Sequence, residues 1–352
     1  MKKDKIKKYH SFFLECSMPS KGEWENELGN EYRVREVIVS ENGEEIIKSE
    51  VIILLAAYKG NQYIQAQIDS ILFQDFDNWK LVLSDDGDYT EDILNEYAKR
   101  FPTKIIRYKA GRRFGSAKAH FMHLVETFKN AAPYIMLSDQ DDVWNKDKIR
   151  KTLDVMKATE ENYNGPILVH TDLRVVDSTL HEISPSFFEY SHLKKGRYKL
   201  NEILIQNIVS GCTLMMNGKL ASLVSRGINP NHLLMHDHWI ALVAAFFGRI
   251  AFLDEPTLRY RQHEDNSCGV KPMISVEYIL AAAKRLNYRA LGVQAHSFFE
   301  CYKTQIPAQE VPLIKAVSSL GHVGKIRRLL IYCQYGLWLY PLVRRLGQIV
   351  FW

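Results

Sequence analysis

The chain has 352 residues, of which 46% are hydrophobic and 25% charged, so it can bury a sizeable core and lacks the composition of a disordered protein. Its 46 lysines and arginines against 41 aspartates and glutamates give a formal charge of +5, too small to indicate nucleic-acid binding. Five scattered cysteines without a C-x-x-C pair argue against a disulfide framework or a zinc site, so we expect a protein of a reducing compartment, the cytoplasm.

Residues 1–48 are predicted to form an N-terminal appendage. Two β-rich runs flank Asn42-Gly43, a dipeptide favoured in tight hairpin turns. The apolar stretch from Phe12 to Leu14 is much shorter than the hydrophobic region of a signal peptide, so we expect no secretion signal. The appendage is therefore predicted to contain a β-hairpin, and nothing in it points to a function.

The next segment alternates apolar strands with amphipathic helices. Strands are predicted at 51–58, 80–87, 104–110 and 134–142, with helices between them at about 64–72, 91–101 and 116–128. Such alternation indicates βαβ units, and hence an α/β fold with a doubly wound, mostly parallel sheet flanked by helices. In these sheets ligands lie beyond the carboxyl ends of the strands.

After residue 165 the pattern becomes less regular. Residues 166–177, 211–217 and 248–263 resemble strands, and residues 236–247 form a helical pattern. We expect the catalytic domain to span 49–270, followed by a helical C-terminal region over 271–352.

The last part of that region is an aromatic, arginine-flanked tail. An uncharged run from Leu329 to Val343 lies between two arginine pairs, and with Pro341 inside it this run is too short for a membrane-spanning helix of about 20 residues. Its tyrosines and tryptophans are of the type that settle at a membrane surface. Two interpretations are open: a helix lying on a membrane, or a helix docked on the protein's own core.

Three of the predicted strands end in polar or acidic residues, the first of them with Tyr58. Asp85 and Asp86 follow the second strand, and three acids, Asp139, Asp141 and Asp142, follow the fourth. Crowded carboxylates raise one another's pKa unless a cation is present, and oxygen ligands suit Mg²⁺ or Mn²⁺ shared with a phosphate-bearing substrate. The alternative is an exposed acidic loop that caps the following helix.

Spacing excludes several other sites. An EF-hand beginning at Asp139 would have Val143 and Trp144 where an acid and a glycine are needed. "GRRFGSAK" lacks the G-x-x-x-x-G-K-[ST] pattern of a P-loop, and no G-x-G-x-x-G follows a strand. A P-loop NTPase and a dinucleotide oxidoreductase therefore both lose support.

Two later stretches carry residues suited to catalysis. In "MHDHW", Asp237 is either a general base or a first-turn helix residue. "LRYRQHEDNSCG" places Arg261 and His263 near a strand end, where an arginine fork suits phosphate and a neutral imidazole suits a metal.

Taken in order, several motifs resemble the family 2 glycosyltransferases of the GT-A fold, and most closely the bacterial rhamnosyltransferase-like members. The resemblance runs from about Val51 to Gly269, and the motifs are "AAYKGNQYIQAQIDSILFQ", "LVLSDDGD", "GSAKAHF", "YIMLSDQDDVWNKDKI", "HTDLRVVD", "QNIVSGCTLMMN", "MHDHWIAL" and "YRQHEDN". No single motif decides the matter, but the ordered set is specific.

The resemblance implies a role for individual residues. Asp237 matches the catalytic base, and Asp141 and His263 match metal-binding positions for Mg²⁺ or Mn²⁺. Donor-binding positions are Ala56, Tyr58, Asp85, Asp86, Lys118, Asp139, Gln140 and Arg261. Acceptor-side positions are Asp142, Trp144, His236 and Trp239.

The resemblance implies an inverting, metal-dependent glycosyltransferase. We expect it to move L-rhamnose from dTDP-L-rhamnose to a hydroxyl of a lipid-linked cell-surface polysaccharide precursor, peripherally at the inner face of the cell membrane. Two alternatives are an enzyme of the same fold with a UDP-hexose donor and a catalytically silent sugar-nucleotide-binding protein. Nucleic acid is not an expected partner.

Overall fold

A computed structural model describes residues 49–263 and 287–351 of the chain. The predicted hairpin around Asn42-Gly43 lies outside these residues. The described residues form one sheet of nine strands, β1 to β9 in chain order: Val51–Ala57, Trp79–Asp85, Ile105–Arg107, Tyr134–Ser138, Val143–Trp144, Ile167–Val176, Glu182–Ser184, Met215–Asn217 and Arg249–Arg261.

The first half of the sheet is parallel. β1 pairs with β2 on one side and β4 on the other, and β3 extends the sheet beyond β2. Every residue from Val51 to Leu55 is fully buried, because helices cover both faces of β1. The four strands predicted for this half are confirmed.

The second half is mixed. β8 runs antiparallel to both β4 and β6, while β6 runs parallel to β9. The predicted strand at 211–217 is shorter than expected, because Gly211–Thr213 forms a 3₁₀ turn before β8 begins. The short edge strands β5 and β7 were not predicted. The predicted α/β class, a sheet flanked by helices, is confirmed, and the sheet as a whole is mixed, with four parallel and four antiparallel strand pairings.

Twelve α-helices are described. Those predicted at 64–72, 91–101, 116–128 and 236–247 are present within a residue at each end, whereas Lys148–Glu161 was not predicted. Numbered α1 to α12, the helices are Ile64–Leu72, Glu91–Arg100, Ala117–Phe128, Lys148–Glu161, Phe187–Tyr190, Leu200–Ile203, Gly218–Val224, His236–Phe247, Tyr288–Tyr302, Val311–Ser319, Lys325–Tyr335 and Leu342–Phe351.

The core has two parts, one on each face of the sheet. Alternate residues of β1 point into different parts: Ile52 and Leu54 into one, Ile53 and Leu55 into the other. The first part contains α3 and α8 and continues into the C-terminal helices, and the second contains α1 and α4. The proposed boundary at residue 270 stays a prediction, since α8 and the C-terminal helices share one core.

The C-terminal tail packs partly on that core. Ile331, Tyr332, Leu337 and Leu339 are buried there, so the interpretation of a helix docked on the protein holds for these side chains. Among the helices described, none combines the length and the apolar character needed to cross a bilayer. Other apolar side chains of the tail point outward and are considered below.

Candidate active site

A cavity of about 440 Å³ lies at the carboxyl ends of β1, β2 and β4, where a doubly wound sheet binds ligands. Its volume is in the range of small-molecule sites. Six further segments contribute to its lining: the start of α3, β6, the start of α5, the turn before β8, the start of α8 and the end of β9. Its lining includes Ala56, Tyr58, Asp86, Ser116, His120, Phe121, Asp139, Gln140, Asp141, Phe187, Ser210, Gly211, Cys212, Met235, His236, Asp237 and Tyr260.

Gln140 joins the ends of β1 and β4. The Tyr58 N–H donates to Gln140 Oε1 at 2.7 Å, and Gln140 Nε2 donates to the Tyr58 carbonyl at 2.8 Å. A Cβ on Gly60 would lie 2.3 Å from Gln140 Oε1, so a larger residue there would displace the Gln140 amide from these bonds. The Tyr58 ring remains half exposed and packs edge-on against Tyr89 at 5.2 Å. The two strand ends therefore form a rigid wall with an accessible aromatic ring.

Asp85 and Asp86 have different surroundings. Asp86 lines the cavity, and its carboxylate accepts the N–H groups of Phe114 (2.6 Å) and Gly115 (2.8 Å) in the loop before α3. Asp85 instead accepts the N–H and the hydroxyl of Thr90 at 2.6 Å each, at the start of α2. One carboxylate oxygen of Asp85 therefore holds the start of α2, and the donor-binding role of Asp85 stays a prediction.

Asp139, Asp141 and Asp237 bring negative charge to the cavity from two directions. The two strand-end acids follow β4, and Asp237 comes from the first turn of α8. Burial, Asp141 and Asp237 together raise the pKa of Asp139 to about 7. Carboxylates packed this closely favour a bound cation or proton.

Asp237 is buried, and two backbone N–H groups hold its carboxylate in place. Its carboxylate accepts the N–H of Gly211 at 3.2 Å and that of His238 at 2.6 Å. Burial raises the pKa of Asp237 to about 6, although both hydrogen bonds oppose the rise. A carboxylate that is ionised at pH 7 and still basic is suited to take a proton from a hydroxyl.

His263 meets Asp141 at the edge of the cavity. Its Nε2 lies 2.9 Å from Asp141 Oδ2, and its ring packs on Tyr63 at 5.0 Å. A carboxylate oxygen and an imidazole nitrogen at this separation form a donor set that suits Mn²⁺ or Mg²⁺.

Arg261 lies behind this pair and does not line the cavity. Its Nε donates to the Asp141 carbonyl at 2.8 Å, one terminal nitrogen donates to the Ser178 carbonyl at 2.7 Å, and the guanidinium packs on Tyr63. The prediction that Arg261 contacts the donor is corrected: this fully buried side chain supports the strand-end loop instead.

A second group of potential ligands lies deeper. In the part of the chain that the structure describes, one oxygen or sulfur atom each of Asp139, Asp142 and Cys212 lie within 4.8 Å of one another. Asp142 and Cys212 are almost completely buried, and the buried Lys148 ammonium is a nearby counter-charge for the Asp142 carboxylate. Burial lowers the pKa of Lys148 to about 8. This group therefore has an internal cation, and the more accessible Asp141 and His263 fit a metal better.

Three predicted acceptor-side residues are corrected because their side chains are buried away from the cavity. Asp142 accepts the backbone N–H of Arg261 at 3.2 Å beneath the site. Trp144 is part of the core and lies under the Lys148 ammonium. Trp239 is fully buried, and its indole N–H donates to the Val224 carbonyl at 3.0 Å.

Lys118 also differs from the prediction. Its ammonium donates to the Leu233 carbonyl at 2.6 Å, and the side chain is not part of the cavity lining. The donor-binding assignment of Lys118 is corrected because this bond links α3 to the segment before α8.

His236 does line the cavity. Its ring stacks on Phe121 with the centroids 4.4 Å apart, and neither ring nitrogen has a hydrogen-bond partner among the described residues. Burial lowers the pKa of His236 to about 3, so the imidazole is neutral. A buried, neutral ring with two unsatisfied nitrogens can bond a ligand hydroxyl.

Several lining residues were not predicted individually. Ser116 and His120 belong to the motif "GSAKAHF", and Gly211 and Cys212 to "QNIVSGCTLMMN", so the motifs located the segments without identifying the residues. Tyr260 likewise belongs to the motif "YRQHEDN". Phe187 carries no such signal, because an aromatic residue in an apolar stretch is usually a core residue.

Gly211→Ala tests how closely the turn packs against α8. A Cβ on Gly211 would lie 2.6 Å from His236 Nε2 and 3.6 Å from Asp237 Cβ. We expect the turn and the His236 ring to separate, which lowers kcat for the chain's reaction by about 10²-fold through misplacement of Asp237. Steady-state kinetics check this, with Gly324→Ala as control because nothing lies within 4 Å of its added Cβ. Equal kcat for the two variants would contradict the prediction.

Comparison with known proteins gives a family match over part of the chain. The sequence profile described as "Glycosyl transferase family 2" matches residues 52–223. The dTDP-rhamnosyl transferase RfbG of Shigella flexneri is 26% identical over 229 residues, which are 64% of this chain and 76% of that protein. TuaG of Bacillus subtilis (strain 168), named for teichuronic acid biosynthesis, is 26% identical over 173 residues, 47% of this chain and 61% of that protein.

Among solved structures, S. aureus TarS in complex with UDP-GlcNAc is 14% identical, with a TM-score of 0.49 over 85% of this chain and 90% of that chain. The family profile includes the ends of β1, β2 and β4 and stops before Asp237. Residues 52–223, just under half of the chain, therefore match glycosyl transferase family 2, and the glycosyltransferase class predicted from the motifs is confirmed.

Proposed function

We propose that the chain is an inverting, metal-dependent glycosyltransferase whose catalytic base is Asp237. The observation that carries the proposal is the convergence of the strand-end acids Asp139 and Asp141 with the helix-borne Asp237 on one cavity. The family match supplies the reaction class. Within the cavity, we assign the metal and the diphosphate to the end of β4 and the catalytic base to the start of α8.

The reaction is a single displacement. The acceptor hydroxyl oxygen forms a bond to the anomeric carbon while the bond from that carbon to the diphosphate oxygen breaks, and the nucleoside diphosphate leaves with the electron pair. Asp237 takes the hydroxyl proton. Because attack comes from the face opposite the leaving group, the anomeric configuration inverts.

The nucleotide is held at the strand ends. Tyr58 offers an exposed ring for a base, and Asp86, Asp139 and Gln140 are fixed polar groups beside it. The start of α3 also lines the cavity, and helix N-termini favour negatively charged phosphate. The donor therefore lies with its diphosphate toward Asp141.

Asp141 and His263 would hold Mg²⁺ or Mn²⁺. A cation held there supplies positive charge that stabilises the departing diphosphate. The chain's own residues fix the ligands: Arg261 binds the Asp141 carbonyl, and Tyr63 packs on the imidazole. These supports keep both ligands in place before the donor arrives.

The proposal also names a specific donor and a specific acceptor. L-rhamnose from dTDP-L-rhamnose is supported by the residue motifs and by the name of the Shigella flexneri relative. A hydroxyl of a lipid-linked cell-surface polysaccharide precursor is the proposed acceptor, at the inner face of the cell membrane. The teichuronic acid relative supports a polysaccharide product.

Donor profiling tests the proposal. We expect the purified chain to hydrolyse or transfer from dTDP-L-rhamnose in preference to UDP-hexoses, and only with Mg²⁺ or Mn²⁺ present. Chelation by EDTA is expected to abolish turnover, because the diphosphate then departs without a counter-charge. The measurement is release of nucleoside diphosphate across a panel of nucleotide sugars, with and without each metal.

Each alternative gives a distinct result in that assay. Turnover of a UDP-hexose alone would overturn the rhamnose donor but keep the glycosyltransferase. Donor binding without turnover of any sugar nucleotide would favour a silent binding protein. Undiminished turnover in EDTA would refute metal dependence.

A further inference from the structure

The last two helices expose apolar side chains on their outer faces. Ile326 is 81% exposed and Leu330 57% in α11, and Leu342 is 62% exposed and Leu346 53% in α12. Together with their neighbours they form what we call the tail surface: Ile326, Leu329, Leu330, Leu342, Val343, Leu346 and Ile349. Scattered exposed apolar residues are ordinary, but a set this concentrated marks an interaction site.

The exposed residues of α11 follow helical periodicity. Ile326, Leu329 and Leu330 stand at spacings of three and four, so they share one face. Ile331 and Tyr332, on the opposite face, are buried in the core. The helix is thus apolar on both sides, with one side packed on the protein and the other open.

In α12 the usual arrangement is reversed. Leu342, Leu346 and Ile349 point outward, while Gln348 on the inner face is almost completely buried. Gln348 Nε2 donates to the Leu337 carbonyl at 2.8 Å, and its Oε1 accepts the Leu339 N–H at 3.1 Å. A surface helix in water normally buries its apolar side. This one is held by a polar side chain and presents its leucines.

Charge along the last three helices has one sign. Residues 311–352 contain six basic residues and no aspartate or glutamate: Lys315, Lys325, Arg327, Arg328, Arg344 and Arg345. Amphipathic helices with apolar faces between basic residues bind anionic lipid surfaces. A second copy of the same face would bring like charges together, which opposes self-association.

We propose that the tail surface binds the headgroup region of an anionic lipid bilayer, with α11 and α12 lying in the plane of the interface. Two helices of 11 and 10 residues each cover about 15 Å along a bilayer. The apolar side chains enter the boundary between headgroups and acyl chains, and basic side chains such as Arg327 remain at the headgroups.

The tail is tied to a wall of the cavity. Gln206 Nε2 donates to the Tyr340 carbonyl at 2.7 Å, and Gln206 Oε1 accepts the Tyr340 N–H at 2.8 Å. Ser210, four residues further along, lines the cavity, so at most about 14 Å of chain separates these points. A bilayer on the tail surface would thus lie near the site. This inference rests on the lipid-linked acceptor of the proposed function and adds how the enzyme meets that acceptor.

Vesicle flotation of the full chain tests the proposal. We expect binding to vesicles of phosphatidylcholine with phosphatidylglycerol, and much weaker binding to phosphatidylcholine alone. The double variant Leu330→Gln/Leu346→Gln is expected to lower the partition coefficient by about 10-fold or more, because two leucines no longer enter the lipid. Arg327→Glu is expected to weaken binding to the anionic vesicles only.

Ile183→Gln is the matched control, since Ile183 is 46% exposed on β7, outside the tail. It should float like the wild type, and circular dichroism should show the wild-type melting temperature for all variants. No flotation of the wild type, or equal flotation of the double variant, would overturn the proposal. A concentration-dependent dimer that the double variant abolishes would show a second copy as the occupant instead. Donor hydrolysis without acceptor is expected to be unchanged in the tail variants, so failure here is separable from failure of the transferase assignment.

Discussion

Replacing Asp237 by asparagine is expected to lower kcat for sugar transfer by about 10²–10⁴-fold, with little change in donor affinity. The amide cannot take a proton from the acceptor hydroxyl, and Asp237 comes from α8, whereas the proposed nucleotide contacts follow β1, β2 and β4. Transfer kinetics measure the loss, and titration with the nucleoside diphosphate measures retained binding.

Asp254→Asn is the control for this substitution. Asp254 is an exposed carboxylate on β9 that pairs with Lys195, so its change leaves the cavity untouched. Wild-type transfer by Asp237→Asn would refute the assignment of the base. A melting temperature well below that of the wild type would instead assign Asp237 to stability, through its bonds with Gly211 and His238.

The pH dependence of kcat/KM is a second, independent test of Asp237 as the base. Burial raises the pKa of Asp237 from its ordinary 3.8 to about 6, and the base works only when ionised. We therefore expect kcat/KM to rise about 10-fold per pH unit below pH 6 and to level off above it, as protons leave the carboxylate. The residual activity of Asp237→Asn should lack this limb. A flat wild-type profile between pH 5 and 7 would contradict the prediction.

The parallel half of the fold was predictable for a physical reason. A run such as Val51–Ala57 is apolar at every position because both faces of its strand are covered. Strand ends then follow from the change to polar residues at Tyr58 and Asp139. Since parallel strands end at the same edge, the location of the ligand site was predictable too.

Which of two neighbouring side chains reaches the cavity could not be predicted from the sequence. Asp141 reaches the cavity while Asp142 is buried beneath it, because the chain bends at Gln140 and Asp141 before β5 begins. Trp239 sits next to a motif residue but faces the core, since α8 is buried around nearly its whole circumference. A motif places a segment at the site, whereas packing decides which of its side chains reach the ligand.

The same substitution at the two adjacent acids is expected to have opposite consequences. Asp141→Ala should lower kcat/KM by about 10²–10³-fold and remove the stimulation by Mg²⁺ or Mn²⁺, because the cation loses its carboxylate ligand. The melting temperature should change little, since Asp141 is partly exposed at the cavity edge. Metal titration of initial rates measures the effect.

Asp142→Ala, in contrast, should destabilise the fold by about 1–3 kcal/mol, because the buried N–H of Arg261 loses its acceptor. Lys148 also loses a nearby carboxylate in the core. Denaturant unfolding measures this loss, and the folded fraction should keep its metal stimulation. If Asp142→Ala removed the metal response and Asp141→Ala did not, the cation would belong to the deeper group with Asp139 and Cys212. The division of roles between the two acids would then be reversed.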